Sequence, residues 1–193
     1  MNKKILFSII GILTTMLSFA QTSQHLSFKG VPIDGTLNEY VAKMKQSGFT
    51  MSGTEDGVAM LKGDFAAYKG CIVGVATLKG KDLVSKITVI FPECETWSAL
   101  YGNYASLKEM LTEKYGQPAE SVEEFQSKYV DDDNERMYEV QLDRCRYYTT
   151  YETEKGDIQL SISHSGVSSC FVLLAYYDKI NGDIVRQKAM DDL

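Results

Sequence analysis

Twice along this chain, one amphipathic helical segment is followed by several short strand segments, and this order limits the possible folds more than any other feature. Thr36 and Glu39 have the spacing of a capping box, and Gly48 ends the first helix. The second helix begins after Thr96 and ends at Gly116. Because helices of this kind cover one face of an antiparallel sheet, we predict an α+β fold. It consists of two tandem helix-plus-antiparallel-sheet units in a single compact domain.

The predicted units span residues 30–94 and 95–178, and each combines a helix with a meander of strands. An extended lead-in at 21–29 precedes them, and a polar C-terminal helix at 179–193 follows them. The strand segments alternate apolar and polar side chains or lie between turn signals. These segments are Phe49–Thr54, Val58–Lys62, Tyr68–Leu78, Leu83–Phe91, Arg144–Thr153, Asp157–His164 and Ser169–Tyr177.

Two details of this pattern predict positions within the sheet. The segment Ser169–Tyr177 is almost wholly apolar, which indicates a central strand. The turn at residues 79–82 joins two earlier strands. If this turn is tight, Ile72 and Gly74 share a face with Ile87, and the small Gly74 leaves room for a helix on that face.

The first twenty residues are predicted to be a signal peptide. Lys3 and Lys4 are followed by an apolar run of 15 residues from Ile5 to Phe19, and small residues allow cleavage between Ala20 and Gln21. The alternative is a membrane anchor, but a spanning helix needs roughly 20 apolar residues. We therefore expect an exported protein, periplasmic or extracellular, that does not insert into the membrane after cleavage.

Charge narrows the classes of partner. The chain carries 20 basic and 26 acidic residues, a net charge of −6. Cleavage would remove two lysines and no acid, which leaves a charge of −8 on the mature chain. A nucleic-acid-binding protein neutralises phosphates with basic side chains, so we predict that this chain binds no nucleic acid.

The four cysteines are predicted to form disulfides, because an even number in an exported chain is typical of crosslinked domains. Cys71, Cys94, Cys145 and Cys170 allow three connectivities, and the sequence does not choose among them. The pairing Cys71–Cys94 and Cys145–Cys170 is preferred since each pair brackets one predicted hairpin region. The alternative is that some of them are free, buried thiols.

Sequence motifs for catalysis and metal binding are missing. The two histidines, His25 and His164, cannot form the common zinc spacings, and the chain has no Gly-x-Ser-x-Gly nucleophile motif. The run Asp131–Glu135 suggests calcium, but an EF-hand loop needs glycine where Arg136 stands, so a helix start is favoured. We therefore predict no catalytic residue, no metal and no cofactor.

Tyrosine is abundant, with twelve in the chain, and it is enriched at binding surfaces. The candidate binding residues are Tyr147, Tyr148, Tyr151, Tyr176 and Tyr177. The alternative is that these rings cover the core and edges of the sheet, because aromatic residues also favour strands.

The resulting functional hypothesis is a non-enzymatic binding module that uses an open sheet face, with another protein or an envelope component as its partner. Two alternatives stay open. One is a small carboxylate-based hydrolase with a cleft between the two units. The other is a structural protein of the envelope without a small ligand. The sequence leaves the oligomeric state open.

Three segments, His25–Gly48, Trp97–Pro118 and Cys170–Asn181, resemble small exported proteins of Gram-negative gut bacteria that have no assigned activity. The lead-in Phe28–Thr36 is the most distinctive part of this resemblance, which implies no catalytic or binding residues. The order of helices and strands is also similar to the architecture of the beta-lactamase inhibitor protein, an analogy of fold that implies no inhibitory activity.

Overall fold

The structure, a computed structural model, describes residues 24–78, 80–128, 130–166 and 169–191. The predicted signal peptide and its cleavage site between Ala20 and Gln21 lie outside these residues. The predicted α+β fold is confirmed: helices lie against a large antiparallel sheet, and a two-stranded hairpin precedes them. In the described part of the chain, no helix is long and apolar enough to cross a lipid bilayer.

The helices and strands follow one another nearly as predicted. The helices are α1 (Leu37–Gln46), α2 (Trp97–Tyr115), α3 (Asp133–Gln141) and α4 (Lys179–Asp191). β1 (Ser27–Phe28) lies in the lead-in, and the strands of the first unit are β2 (Val31–Pro32), β3 (Thr50–Glu55), β4 (Val58–Phe65), β5 (Tyr68–Thr77) and β6 (Val84–Ile90). Those of the second are β7 (Glu120–Phe125), β8 (Cys145–Thr153), β9 (Gly156–Ser165) and β10 (Ser169–Asp178).

Local hydrogen bonds explain where the helices begin. The Thr36 hydroxyl accepts from the backbone N–H of Glu39, and the Glu39 carboxylate accepts from that of Thr36, which is the predicted capping box. Thr96 caps α2 by accepting from the N–H of Ala99. Asp132 caps α3, so the acidic run is a helix start, as predicted.

The large sheet consists of two four-stranded meanders that meet through their last strands. Its order is β3-β4-β5-β6-β10-β9-β8-β7, and β6 pairs with β10 from Leu173 opposite Ile90 to Tyr177 opposite Lys86. β10 is therefore central, as its apolar sequence predicts. β7 forms one edge, and the sequence did not predict it because it carries three glutamates.

One predicted register is wrong. A bulge between Ala76 and Thr77 shifts the pairing of β5 with β6 by one residue. Val73 and Val75 therefore accompany Ile87 in the core, and Gly74 faces the opposite side. A single extra residue reverses every side chain beyond it, and the alternation pattern does not reveal such a bulge.

The predicted disulfide pairing is also corrected. All four cysteines are free thiols in the structure. Cys145 lies on β8 and Cys170 on β10, and β9 runs between these strands. Two interstrand spacings amount to about 9.6 Å, more than the roughly 7 Å that a disulfide can bridge. Cys94 pairs with Cys170 in an isolated antiparallel bridge, and not with Cys71.

The lead-in is tied to the far end of the chain. The buried Asp178 carboxylate accepts from the backbone N–H groups of Leu26 at 2.8 Å and Asn181 at 3.0 Å, and lies 3.0 Å from His25 Nδ1. The Asn181 amide donates to the carbonyl of Ile33 at 3.1 Å. We call these five residues the terminal clasp. It joins segments about 150 positions apart.

Candidate binding face

The large sheet has one face under the helices and one face toward solvent. The helix-covered face, which we call the core face, carries fully buried side chains such as Leu160 on β9 and Leu174 on β10. Their neighbours Ser161 and Leu173 point to the other side and are partly exposed. We call this second side the open face, since no described helix packs on it.

Strand pairing places open-face residues in a row across the sheet. Ile72 lies opposite Ile90, and Ile90 lies opposite Leu173. The row continues from Leu173 to Ser161 and from Ser161 to Tyr148. We call this set the central row, and its members are Lys62, Ile72, Ile90, Leu173, Ser161, Tyr148 and Val122.

The central row changes character along its length. Ile72, Ile90 and Leu173 form an apolar ridge over three adjacent strands, and Ile72 is 38% exposed. With strands about 4.8 Å apart, this ridge is about 10 Å wide between its outer strands. Beyond Leu173 the row becomes polar at Ser161. Along this row the open face therefore has an apolar half on β5, β6 and β10, with Lys62 beside it on β4, and a polar half on β9, β8 and β7.

A shallow groove runs beside the apolar ridge. Gly74 and Thr88 are paired across β5 and β6, and Met60 pairs with Gly74 on the other side. The small side chains leave a groove of about 250 Å³ between Met60, Val58 and Ile90. A ridge beside a groove offers both a protruding and a receiving apolar surface to one partner.

Charges lie at one end of the open face. Lys86 pairs with Tyr177, and its ammonium lies 4.8 Å from the centre of that ring. Tyr177 pairs with Asp157, and Asp157 lies directly opposite Glu152. Two like charges in opposite positions destabilise a sheet. Among the described residues, no cation lies within ion-pair distance of either carboxylate.

Other polar side chains of the polar half contact one another. Arg146 contacts the Glu124 carboxylate at 2.6 Å. The Tyr148 hydroxyl donates to Glu120 at 2.7 Å, and this hydrogen bond raises the pKa of Tyr148. Arg146 and Glu124 neutralise one another, whereas Glu120 keeps its negative charge because its tyrosine partner is neutral. Glu152 and Asp157 differ from these groups in lying directly opposite each other on paired strands.

The five predicted binding tyrosines lie on different faces. Tyr148 and Tyr177 are on the open face, and Tyr177 is 38% exposed. Tyr151 and Tyr176 are only 1% and 4% exposed on the core face, so their assignment to a binding surface is corrected. Tyr147 is half-buried on the core face, edge-on to the Trp97 ring at 5.0 Å. Alternation separated Tyr147 from Tyr148, but it did not show which face the helices cover.

Tyr147 borders a second concave site on the helix side. This groove of about 500 Å³ has aromatic walls that include Trp97, Tyr101 and Phe125, with Arg136 beside them. Trp97 and Tyr101 are stacked with their ring centres 5.7 Å apart. The rings contact one another closely, so the groove is a gap in a packed aromatic cluster at the N-terminal end of α2.

His164 lies opposite Cys170 across β9 and β10, and both of its ring nitrogens lie close to oxygen acceptors. His164 Nδ1 lies 2.9 Å from the Gly166 carbonyl, and Nε2 lies 3.1 Å from the Asp143 carboxylate. Because both partners accept, they favour the doubly protonated ring and raise the pKa of His164. Burial raises the pKa of the Cys145 thiol to about 12, the opposite of what a nucleophilic thiolate requires.

Several carboxylates line one groove of the protein. This groove does not lie between the two units. Glu152, Asp157 and Asp183 line a groove of about 380 Å³ near the start of α4. The expected position of a cleft between the two units is occupied by the hydrogen-bonded pair of β6 and β10. Among the described residues, no three His, Cys, Asp or Glu side chains converge to hold a metal ion.

Comparison of the chain with protein-family models, with curated proteins and with solved structures found no match. The resemblance to exported proteins of gut bacteria and the analogy with the beta-lactamase inhibitor protein therefore stay predictions.

The sequence analysis did not select the residues that form the apolar ridge. Ile72, Ile90 and Leu173 were each part of a strand pattern, but Ile72 was assigned to the helix-covered side because the bulge was not predicted. A usable signal exists in β6, where Lys86 and Thr88 share the parity of Ile90. An apolar residue at the end of a polar face suggests an exposed contact site.

Proposed function

We propose that this chain is an exported binding module whose open face contacts a protein partner. The observation that carries the proposal is the apolar ridge of Ile72, Ile90 and Leu173, which the described helices leave uncovered. When a partner covers apolar side chains that are aligned across three strands, their removal from water makes binding more favourable. The stability of the fold alone does not require a row of apolar side chains on the solvent side of the sheet.

The charges suggest the chemistry of the partner. The partner presents an apolar surface to the ridge and the adjoining groove. It also places a basic side chain near Glu152 and Asp157, because a cation there relieves the repulsion between two opposed carboxylates. The net charge of the chain supports the same sign of complementarity.

The binding test uses the mature chain, residues 21–193, immobilised and exposed to a solubilised bacterial envelope fraction. Captured proteins are identified, and the affinity of the purified partner is then measured. Ile72→Glu places a charge at the most exposed end of the apolar ridge and is expected to weaken binding at least about 10-fold. Asp157→Lys is expected to weaken it less, with a reduced dependence on salt.

The matched control is Met110→Glu. Met110 on α2 is 42% exposed, close to the 38% of Ile72, but α2 packs on the core face and Met110 lies on its outer side. The proposal fails if Ile72→Glu folds and still binds the partner, or if Met110→Glu loses binding equally. Circular dichroism of each variant shows whether the fold is retained.

Export is tested separately. The full chain, expressed in a Gram-negative host, is expected to accumulate outside the cytoplasm with Gln21 as its first residue. Recovery of the chain with residues 1–20 attached, in the membrane fraction, would support the anchor alternative.

A further inference from the structure

We propose that Cys94 and Cys170 form a disulfide when the chain folds in an oxidising environment, and that Cys71 and Cys145 stay reduced. The proposed export supplies such an environment, but the bond itself depends on the geometry of the fold and not on the binding face.

The two cysteines already face each other across a strand pair. Cys94 follows β6 and forms an antiparallel bridge with Cys170 at the start of β10. The Cys94 N–H donates to the Cys170 carbonyl at 2.8 Å. Hydrogen-bonded antiparallel partners have Cα atoms about 5.5 Å apart, which lies within the range of disulfides.

The side chains can reach each other after a modest change. The Cys94 thiol now accepts from the Asn103 amide at 3.3 Å, and a rotation about its Cα–Cβ bond can exchange this contact for one with the Cys170 thiol. Asn103 keeps its hydrogen bond from the Tyr68 hydroxyl at 3.3 Å. The backbone bridge holds the two cysteines in place while the side chain turns.

The other two cysteines have no partner in reach. Cys145 on β8 is separated from Cys170 on β10 by β9, about 9.6 Å across two spacings. Cys71 lies on β5, four strands away from β8 in the sheet, which excludes a bond to Cys145. If Cys94 and Cys170 are bonded, Cys71 and Cys145 are therefore left as free thiols.

The oxidant is a small disulfide such as oxidised glutathione. The Cys94 thiolate attacks it and releases one glutathione thiol, which leaves a mixed disulfide on Cys94. The Cys170 thiolate then attacks the Cys94 sulfur and releases the second glutathione, so two protein thiols are oxidised and one glutathione disulfide is reduced. Both residues are buried, so the exchange is fast during folding and slow in the native protein.

This bond would join the two meanders at their junction. Cys94 closes the first unit and Cys170 opens the central strand of the second, beside the pairing of β6 with β10. A crosslink here limits separation of the two halves of the sheet in the unfolded state.

The test is refolding of the mature chain in a glutathione redox buffer, followed by alkylation of free thiols and tryptic mapping without reduction. Trypsin places each cysteine on a separate peptide, and the peptides that contain Cys94 and Cys170 span residues 87–108 and 156–179. We expect these two peptides to be linked, with two alkylated thiols elsewhere and a loss of two hydrogen atoms. The midpoint temperature of thermal unfolding is expected to rise by about 10 °C on oxidation.

Two double variants serve as controls. Cys71→Ser with Cys145→Ser is expected to keep the linked peptides, and Cys94→Ser with Cys170→Ser is expected to lose them. A different linked pair, a loss of four hydrogen atoms, or four alkylated thiols after refolding of the wild-type chain would overturn the proposal. None of these results depends on whether the open face binds a partner.

Discussion

The two faces of the large sheet place tyrosine side chains in different environments. On the core face, the Tyr151 hydroxyl donates to the Lys108 carbonyl at 2.9 Å, and Tyr104 shares a hydrogen bond with Thr149 at 2.7 Å. On the open face, Tyr148 reaches only a charged side chain at the edge of the sheet. These core-face hydroxyls find partners inside the protein, while apolar side chains on the open face are left in water.

The two faces differ in how far contacts within the chain satisfy their side chains. The core face combines aromatic packing with hydrogen bonds that leave few buried polar atoms without a partner, so it is complete by itself. The open face has the reverse imbalance, with an uncovered apolar ridge and two opposed carboxylates. The proposed function assigns the removal of this imbalance to a partner that covers the ridge and places a cation near the carboxylates.

The largest expected difference between the faces comes from removing a tyrosine ring on β8. Tyr151→Ala opens a cavity in the core and removes a buried hydrogen bond, so it is expected to lower the free energy of unfolding by about 4 kcal/mol. Tyr148→Ala removes a solvent-facing ring and is expected to cost less than about 1 kcal/mol. Urea denaturation followed by the fluorescence of Trp97 measures both.

Equal losses for the two variants would contradict the assignment of the faces. Tyr151→Phe, which keeps the ring and deletes the hydroxyl, separates the packing contribution from the hydrogen bond and is expected to lie between the two.

The next largest difference concerns two aspartates at the start of β9 and the end of β10, Asp157 and Asp178. Asp178→Asn replaces one accepting oxygen with a donor that faces a buried N–H, and is expected to cost about 2–3 kcal/mol. Asp157→Asn removes the repulsion with Glu152 and is expected to leave stability unchanged or raise it by up to about 0.5 kcal/mol. Denaturant unfolding of both variants under the same conditions makes the comparison direct. A loss for Asp157→Asn similar to that for Asp178→Asn would refute it.

The smallest expected effect is a pH dependence at His164. Because its pKa is raised above the unfolded value of 6.5, the folded protein binds this proton more tightly than the unfolded chain does. The stabilisation is fully present below the unfolded pKa and is lost as the pH rises through the folded pKa. His164→Gln is therefore expected to destabilise the protein more at about pH 5.5 than at about pH 8.5.

Asp143→Asn is the control for this prediction. The residue has a positive φ of 58°, which asparagine tolerates, so the substitution removes the charge without straining the turn. It is expected to reduce the pH dependence of the His164→Gln effect. An unchanged profile would assign the shift to the Gly166 carbonyl alone.

Features that depend on short sequence distances could be predicted from the sequence. The capping box of Thr36 and Glu39 and the start of α3 involve neighbours in the chain, so their physics is contained in a few residues. The central position of β10 followed from its almost wholly apolar sequence, although Leu173 and Tyr177 lie on the open face. The α+β class followed from the order of these elements.

Features that depend on contacts across the sheet could not be predicted. The bulge after Ala76 reverses the faces of β5, and no local pattern marks it. The cysteine partners depend on strand order, because Cys145 and Cys170 are close in sequence but have β9 between them. β7 was missed since an edge strand held by its neighbour β8 does not need an apolar alternation of its own.

The terminal clasp has a consequence for the time at which the chain can finish folding. Leu26 is among the first described residues to be synthesised, but its hydrogen-bond acceptor is the carboxylate of Asp178. A ribosome adds roughly 5–20 residues per second, so the amide of Leu26 waits on the order of ten seconds for its partner. Phe28 of the hairpin can pack against Phe49 and Phe65 earlier, but the polar contacts of the terminal clasp cannot form until Asp178 has been made.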